Sequence, residues 1–178
     1  MKRARQPQSD PMERQIELAL RPGEFVHDRA CFSFVSALEK VVADIQKLIP
    51  AQATRAAALC EAFLAGCHAK AEQLDDSSGN FGMFVKDLIC LWIKAQQADT
   101  ADPDNTAATL LAWMDDDPYA FCYEIEKDAS AAFDHAGRTA FEKQVRARFE
   151  AVSEDPSRWP YRRLSAVLRA IYLAQRKV

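Results

Sequence analysis

Residues 28–50 read DRACFSFVSALEKVVADIQKLIP and residues 51–74 read AQATRAAALCEAFLAGCHAKAEQL; after the polar break Asp75-Asp76-Ser77-Ser78-Gly79-Asn80, residues 81–98 read FGMFVKDLICLWIKAQQA. In the first stretch Phe34, Val35, Leu38, Val41, Val42, Ile45, Leu48 and Ile49 recur at three- and four-residue steps, the period of one helix face. Pro50, which has no N–H to continue the ladder, closes it. The second stretch is Ala-rich, so intrinsic propensity favours a helix, and its apolar face runs through Leu59, Phe63, Leu64, Cys67, Ala71 and Leu74. The third repeats the pattern with Phe81, Phe84, Val85, Leu88, Ile89 and Trp92. Three consecutive amphipathic helices with short connections predict antiparallel hairpins.

Four Asp-Pro pairs punctuate the chain, at Asp10-Pro11, Asp102-Pro103, Asp117-Pro118 and Asp155-Pro156. Asp caps a helix N-terminus and Pro fits its first position, so a pair before an apolar-periodic segment predicts a helix start. On that basis helices are expected from Pro11 to Arg21-Pro22-Gly23, from Pro103 through Met114, and from Pro118 through Phe133. The last of these would end near Gly137 in the left-handed C-terminal position. Two more helices are expected over residues 138–151 and 159–177. No stretch alternates apolar and polar residues in the manner of a strand. The expected fold is all-α: about eight helices in antiparallel hairpins, as a short solenoid-like stack or irregular bundle, with residues 1–9 a flexible basic tail and 10–178 one domain.

Composition is consistent with this. The 178 residues are 49% hydrophobic and 28% charged, with only 5 Gly, which excludes wholesale disorder and a turn-rich all-β fold. A formal charge of −3 argues against a simple basic nucleic-acid module. The 5 cysteines, Cys31, Cys60, Cys67, Cys90 and Cys122, lie within helical apolar patterns without metal-type spacing and read as small buried hydrophobes in a reducing compartment. No apolar run approaches a membrane span, so the expected location is cytoplasmic.

The stretch Leu110-Leu-Ala-Trp-Met-Asp-Asp-Asp-Pro-Tyr-Ala-Phe-Cys-Tyr-Glu-Ile-Glu126, with Asp75-Asp-Ser-Ser-Gly-Asn-Phe-Gly82 and Trp159-Pro-Tyr-Arg-Arg163, resembles an uncharacterised bacterial family of all-helical proteins. The resemblance runs from about residue 11 onward and implies a helical-repeat solenoid of unknown function, without catalytic residues or cofactors. It also implies that members continue past the counterpart of Ala174-Gln-Arg176, so that this chain corresponds to an amino-terminal piece. Ala120 stands where the family pattern has Gly, a change that would stabilise the middle of a helix.

Four groups of residues are candidates for chemistry. His27, His68 and His135 share no ligand spacing, and Glu24-x-x-His27 is a single copy of a pattern that a di-iron site needs twice. Asp76, Ser78 and Asn80 mimic the start of a calcium loop but place Phe81 where Gly is required, so this segment is a turn and no metal ligands are assigned. Residues 99–128 hold nine acids against Lys127, a net charge of −8, and include Asp115, Asp116, Asp117, Glu124 and Glu126. These are best explained by helix capping and dipole complementarity. Residues 155–178 carry a net charge of +5, from Arg158, Arg162, Arg163, Arg169, Arg176 and Lys177 against Asp155.

The function that fits these observations is a non-enzymatic scaffold or protein–protein interaction module, contacting another chain or a second copy of itself. Its partner surface is expected at Asp115, Asp116, Tyr119 and Tyr123 and on the last helix at Arg162, Arg163, Leu168, Arg169, Ile171 and Tyr172. One alternative is a divalent-metal-dependent enzyme using Asp75/Asp76 and the carboxylates from Asp115 to Glu126. Another is a nucleic-acid-associated protein using the basic last helix.

Overall fold

The structure, a computed structural model, describes residues 10–152 and 159–176. The expected tail at 1–9, the Asp155-Pro156 pair, Arg158 and Lys177 lie outside them. Seven helices occupy the described residues: α1 (Pro11–Leu20), α2 (Asp28–Ala71), α3 (Asn80–Ala98), α4 (Pro103–Asp115), α5 (Glu126–Ala132), α6 (His135–Ala151) and α7 (Trp159–Gln175). Among the described residues there is no strand, and Val26 and Leu74 form an isolated parallel bridge. The protein is all-α.

A straight helix of 44 residues would be about 66 Å long. Helix α2 is instead folded back on itself. Gln52, just after Pro50, has non-helical torsions (φ −146°, ψ 51°), and beyond it the chain reverses. As a result Lys70 Nζ lies 5.4 Å over the Phe34 ring and Val26 N–H donates to the Gln73 carbonyl at 2.9 Å. The two limbs, residues 28–51 and 53–71, are therefore the two antiparallel helices that Pro50 predicts. Helix α3 packs along the second limb, with Phe63 against Phe84 at 5.5 Å between ring centroids.

Helix α1 lies on the second limb, tied at both ends. The Asp10 carboxylate accepts the Met12 N–H and both Nε and Nη2 of Arg55, and these bonds, the Arg55 pair foremost, hold its carboxyl below the ordinary Asp range. At the other end Lys70, only 2% exposed, donates to the carbonyls of Arg21 and Glu24; burial lowers its pKa. Between these ties the end of the Leu20 side chain lies over Gly66, where a Cβ would meet its Cδ1.

Helices α1 to α3 form a first lobe and α4 to α7 a second. In the second, α4 packs on α6, and α7 packs on both α5 and α6. Leu110, Leu111, Phe141, Val145, Val167 and Ile171 are buried in its core. Helix α3 is the shared wall: Gln97 near its end accepts the Asp134 N–H and donates to the Ala132 carbonyl at 3.1 Å.

The structure differs from the sequence expectation at Asp117-Pro118, Ala120 and Gly137. Asp117-Pro118 does not begin a helix; residues 117–125 form turns, with Ala120 and Glu124 at φ 57° and 56°, and α5 starts only at Glu126. Ala120 is thus in left-handed backbone and not mid-helix, so Ala is the strained choice there. Gly137 is not a left-handed cap. It lies in the first turn of α6, where a Cβ would meet Phe133 Cδ1 at 2.5 Å and Gln97 Oε1 at 3.2 Å.

Candidate binding cleft

Glu61, Ala65 and His68 of α2's second limb and Glu72 at its C-terminal cap follow one another at steps of four, three and four, so they share a face. Across from them stand Trp113 of α4 and the 117–125 turns, with Ile89 of α3 at the base. Glu61, His68, Ile89, Thr109, Trp113 and Cys122 line a cavity of about 490 Å³ where the two lobes meet.

Glu61, Trp113, His68 and Tyr119 are each held by a neighbour. Trp92 of α3 is buried and donates Nε1–H to Glu61 Oε1 at 2.9 Å, while its ring lies 4.4 Å from that of Trp113. Gln96 Nε2 approaches the same carboxylate oxygen at 3.4 Å. His68 is half-buried and meets the rings of Tyr119 and Phe121 edge-on, at 5.9 and 5.2 Å. Tyr119 donates its hydroxyl to Glu72 Oε1 at 3.0 Å, and that bond to a carboxylate raises its pKa.

Tyr119 and Phe121 face His68 because Asp117 folds the turn beneath them. Its two carboxylate oxygens accept the N–H groups of Phe121 at 2.8 Å and Cys122 at 2.6 Å. Asp76 does the same before α3, taking the N–H of Phe81 at 2.9 Å and of Gly82 at 2.8 Å. A carboxylate bridging two consecutive N–H groups satisfies donors, at the entry of α3 and within the 117–125 turns, that would otherwise lack partners.

This accounts for most of the carboxylates considered for a metal. Asp75 accepts from the Ser77 backbone and hydroxyl, Asp115 pairs with Arg148, and Asp116 is exposed. Among the described residues no group of three or more His, Cys, Asp or Glu side chains comes together as metal ligands would. His27 precedes α2 with its ring against Phe25, and His135 is exposed at the start of α6. The cysteines are free thiols, four of them buried. Desolvation pushes Cys60 and Cys122 up to about 12 and Cys90 to about 11, so these thiols stay protonated.

The expected partner residues divide. Tyr123 is 60% exposed, with Lys86 Nζ 5.9 Å over its ring. Arg162 and Arg169 are exposed, and Arg163 lies 5.7 Å over the Trp159 ring. Asp115 and Arg163 line a common groove between α4, α6 and α7, so part of the basic helix faces the acidic stretch of the same chain. Ile171, however, is 1% exposed, and Leu164 and Leu168 are half-buried against the core. The apolar strip expected at the surface of the last helix is therefore its packing face. The large apolar side chains that α7 exposes, among the described residues, are Trp159, Tyr172 and Leu173. Tyr172 carries Arg176 5.5 Å over its ring.

Glu61, His68 and Glu72 are cleft residues that sequence reasoning did not select as a site. Their only local signal is the spacing of polar side chains along an otherwise Ala-rich helix. Among the described residues no helix is long and apolar enough to cross a membrane. The chain matches no protein-family pattern, and no curated protein or solved structure shows significant similarity to it.

Proposed function

We propose that the protein is a helical interaction module that performs no chemistry of its own and holds a cationic segment of another protein in the cleft between its lobes. One observation carries the reading: the Glu61 carboxylate is fixed by Trp92 beside the Trp113 ring in a cleft whose described lining contains no Lys or Arg. A carboxylate next to an aromatic face is the arrangement that recognises an ammonium or guanidinium group, by ion pairing and cation–π attraction together. Tyr119 and His68 extend the aromatic wall toward Glu72, giving an extended segment a second polar contact. The carboxylates of Asp76 and Asp117 take no part, because each is occupied by two backbone N–H groups.

Selection from a random peptide library against the wild-type protein, with counter-selection on Glu61→Gln, tests this. Gln keeps an oxygen for Trp92 Nε1–H and removes only the charge. Enriched peptides should carry Lys or Arg beside apolar residues. They should bind Glu61→Gln about tenfold more weakly or worse, the size expected for loss of one charge-assisted contact. Peptides without a basic residue, or equal binding to both proteins, would overturn the reading.

A further inference from the structure

The second lobe has a separate groove, between α5 and α7, that uses none of the cleft's residues. It encloses about 550 Å³, is floored by Ala131, Ala166 and Ala170, and has Leu173 standing half-exposed at one end. Its two helices differ in charge. Helix α5 contributes Glu126 and Asp128, with Lys127 between them, whereas α7 contributes Arg169, with Arg138 of α6 beside it. Arg138 is already directed to the Ala174 carbonyl, at 3.2 Å, whereas Arg169 is exposed. Arg162 lies two helical turns before Arg169 on the same side of α7 and is also exposed.

We infer that this groove is the contact surface between two copies of the chain. A face with acids along one rim and bases along the other is complementary to itself under one particular rotation. A two-fold axis running along the groove sets the Glu126/Asp128 rim of each copy opposite the Arg162/Arg169 rim of the other. An axis across the groove would set acid against acid. Isologous contacts of this kind are the commonest in soluble oligomers. The low alanine floor lets the two α7 helices approach closely, and Leu173, half-exposed on each copy, is covered in the process.

The inference rests on the general reading of the chain as an interaction module but not on the cleft, so the two fail separately. Sedimentation of the full chain over a range from micromolar to submillimolar should show a reversible dimer. Glu126→Lys with Asp128→Lys should lose the dimer, since both rims are then basic. Arg162→Glu with Arg169→Glu should lose it too, both rims then being acidic. An equimolar mixture of the two variants should regain it as a heterodimer, which simple damage to the fold could not produce. Ala170→Cys should form disulfide-linked dimers through residue 170 itself, because an axis along the groove brings equivalent residues together. A parent chain that stays monomeric throughout, whatever else the groove then binds, would overturn the inference. So would reversed variants that dimerise as the parent does, or a mixture that stays monomeric.

Discussion

Asp117 and Ala120 show how much a single side chain decides in this molecule. Read along the chain, Asp117-Pro118 followed by Phe121, Cys122, Ile125, Ala129 and Phe133 has the cap, the proline and the spacing of a helix. All five of those apolar residues are indeed buried. What the spacing could not show is that the Asp117 carboxylate bonds two N–H groups four and five residues on, and thereby holds a looser turn that puts Ala120 at φ 57°. Left-handed backbone costs an L residue about 1–2 kcal/mol, and glycine's extra freedom in the unfolded chain offsets about half of that. Ala120→Gly is therefore expected to stabilise the protein by about 0.5–1 kcal/mol, a rise of about 1–4 °C in melting temperature by calorimetry. This is the reverse of its expected effect in a helix. A fall of similar size would mean that residue 120 is helical in solution.

At the scale of the elements, hydrophobic period was sufficient wherever a helix buries one stripe. The limbs of α2, helix α3 and the Pro103 start of α4 were legible for that reason, as was the reversal at Pro50. Contacts between elements were not legible, because they depend on close approaches that leave no periodic trace. Gly137 and Gly66 both lie in helices, where Ala is intrinsically better by about 1 kcal/mol, so propensity alone predicts that both gain from Ala. Packing predicts otherwise. At residue 137 the added methyl meets the rigid Phe133 ring at two atoms, Cδ1 at 2.5 Å and Cγ at 3.2 Å, together with Gln97. At residue 66 the close atom is the end of the Leu20 side chain, which can rotate away, and the next atom is 3.8 Å distant. Gly137→Ala is expected to cost about 1–3 kcal/mol in urea denaturation, in the range of overpacked cores, and Gly66→Ala to stay within about 1 kcal/mol of wild type. Equal effects would show that α6 is not seated on Phe133 as described. The last helix teaches the same lesson from the other side: Leu168 and Ile171 have a clear apolar period, but period shows only that a face is buried somewhere, and here α5 and α6 supply the cover.

For the molecule as a whole, the question is whether its two lobes are two units or one. The cleft between them was invisible in the sequence because Glu61, His68, Trp113 and Tyr119 come from segments far apart in the chain, and only the folded-back α2 and the shared α3 bring them together. That sharing has an energetic consequence. Leu88, Ile89, Leu91, Trp92 and Ile93 of α3 are all buried, and Trp92 joins Glu61 of the first lobe to Trp113 of the second. Unfolding one lobe would strip one side of α3 and expose apolar residues that the remaining lobe cannot cover. Chains longer than about 150 residues often unfold through intermediates, so a shared wall makes a distinguishable prediction. Tryptophan fluorescence reports the joint through Trp92 and Trp113 and α7 through Trp159, whereas far-ultraviolet circular dichroism reports all the helices. In urea the two signals should fall in one coincident transition. Trp92→Phe, which keeps a ring but loses the N–H to Glu61, should move the midpoint of the circular-dichroism transition down by the equivalent of about 1–3 kcal/mol without splitting it. Were the fluorescence change to precede the loss of helix, the joint would be opening while both lobes stayed folded. The cleft would then be a hinge between independent units and not the preformed site on which the proposed cation recognition by Glu61 depends.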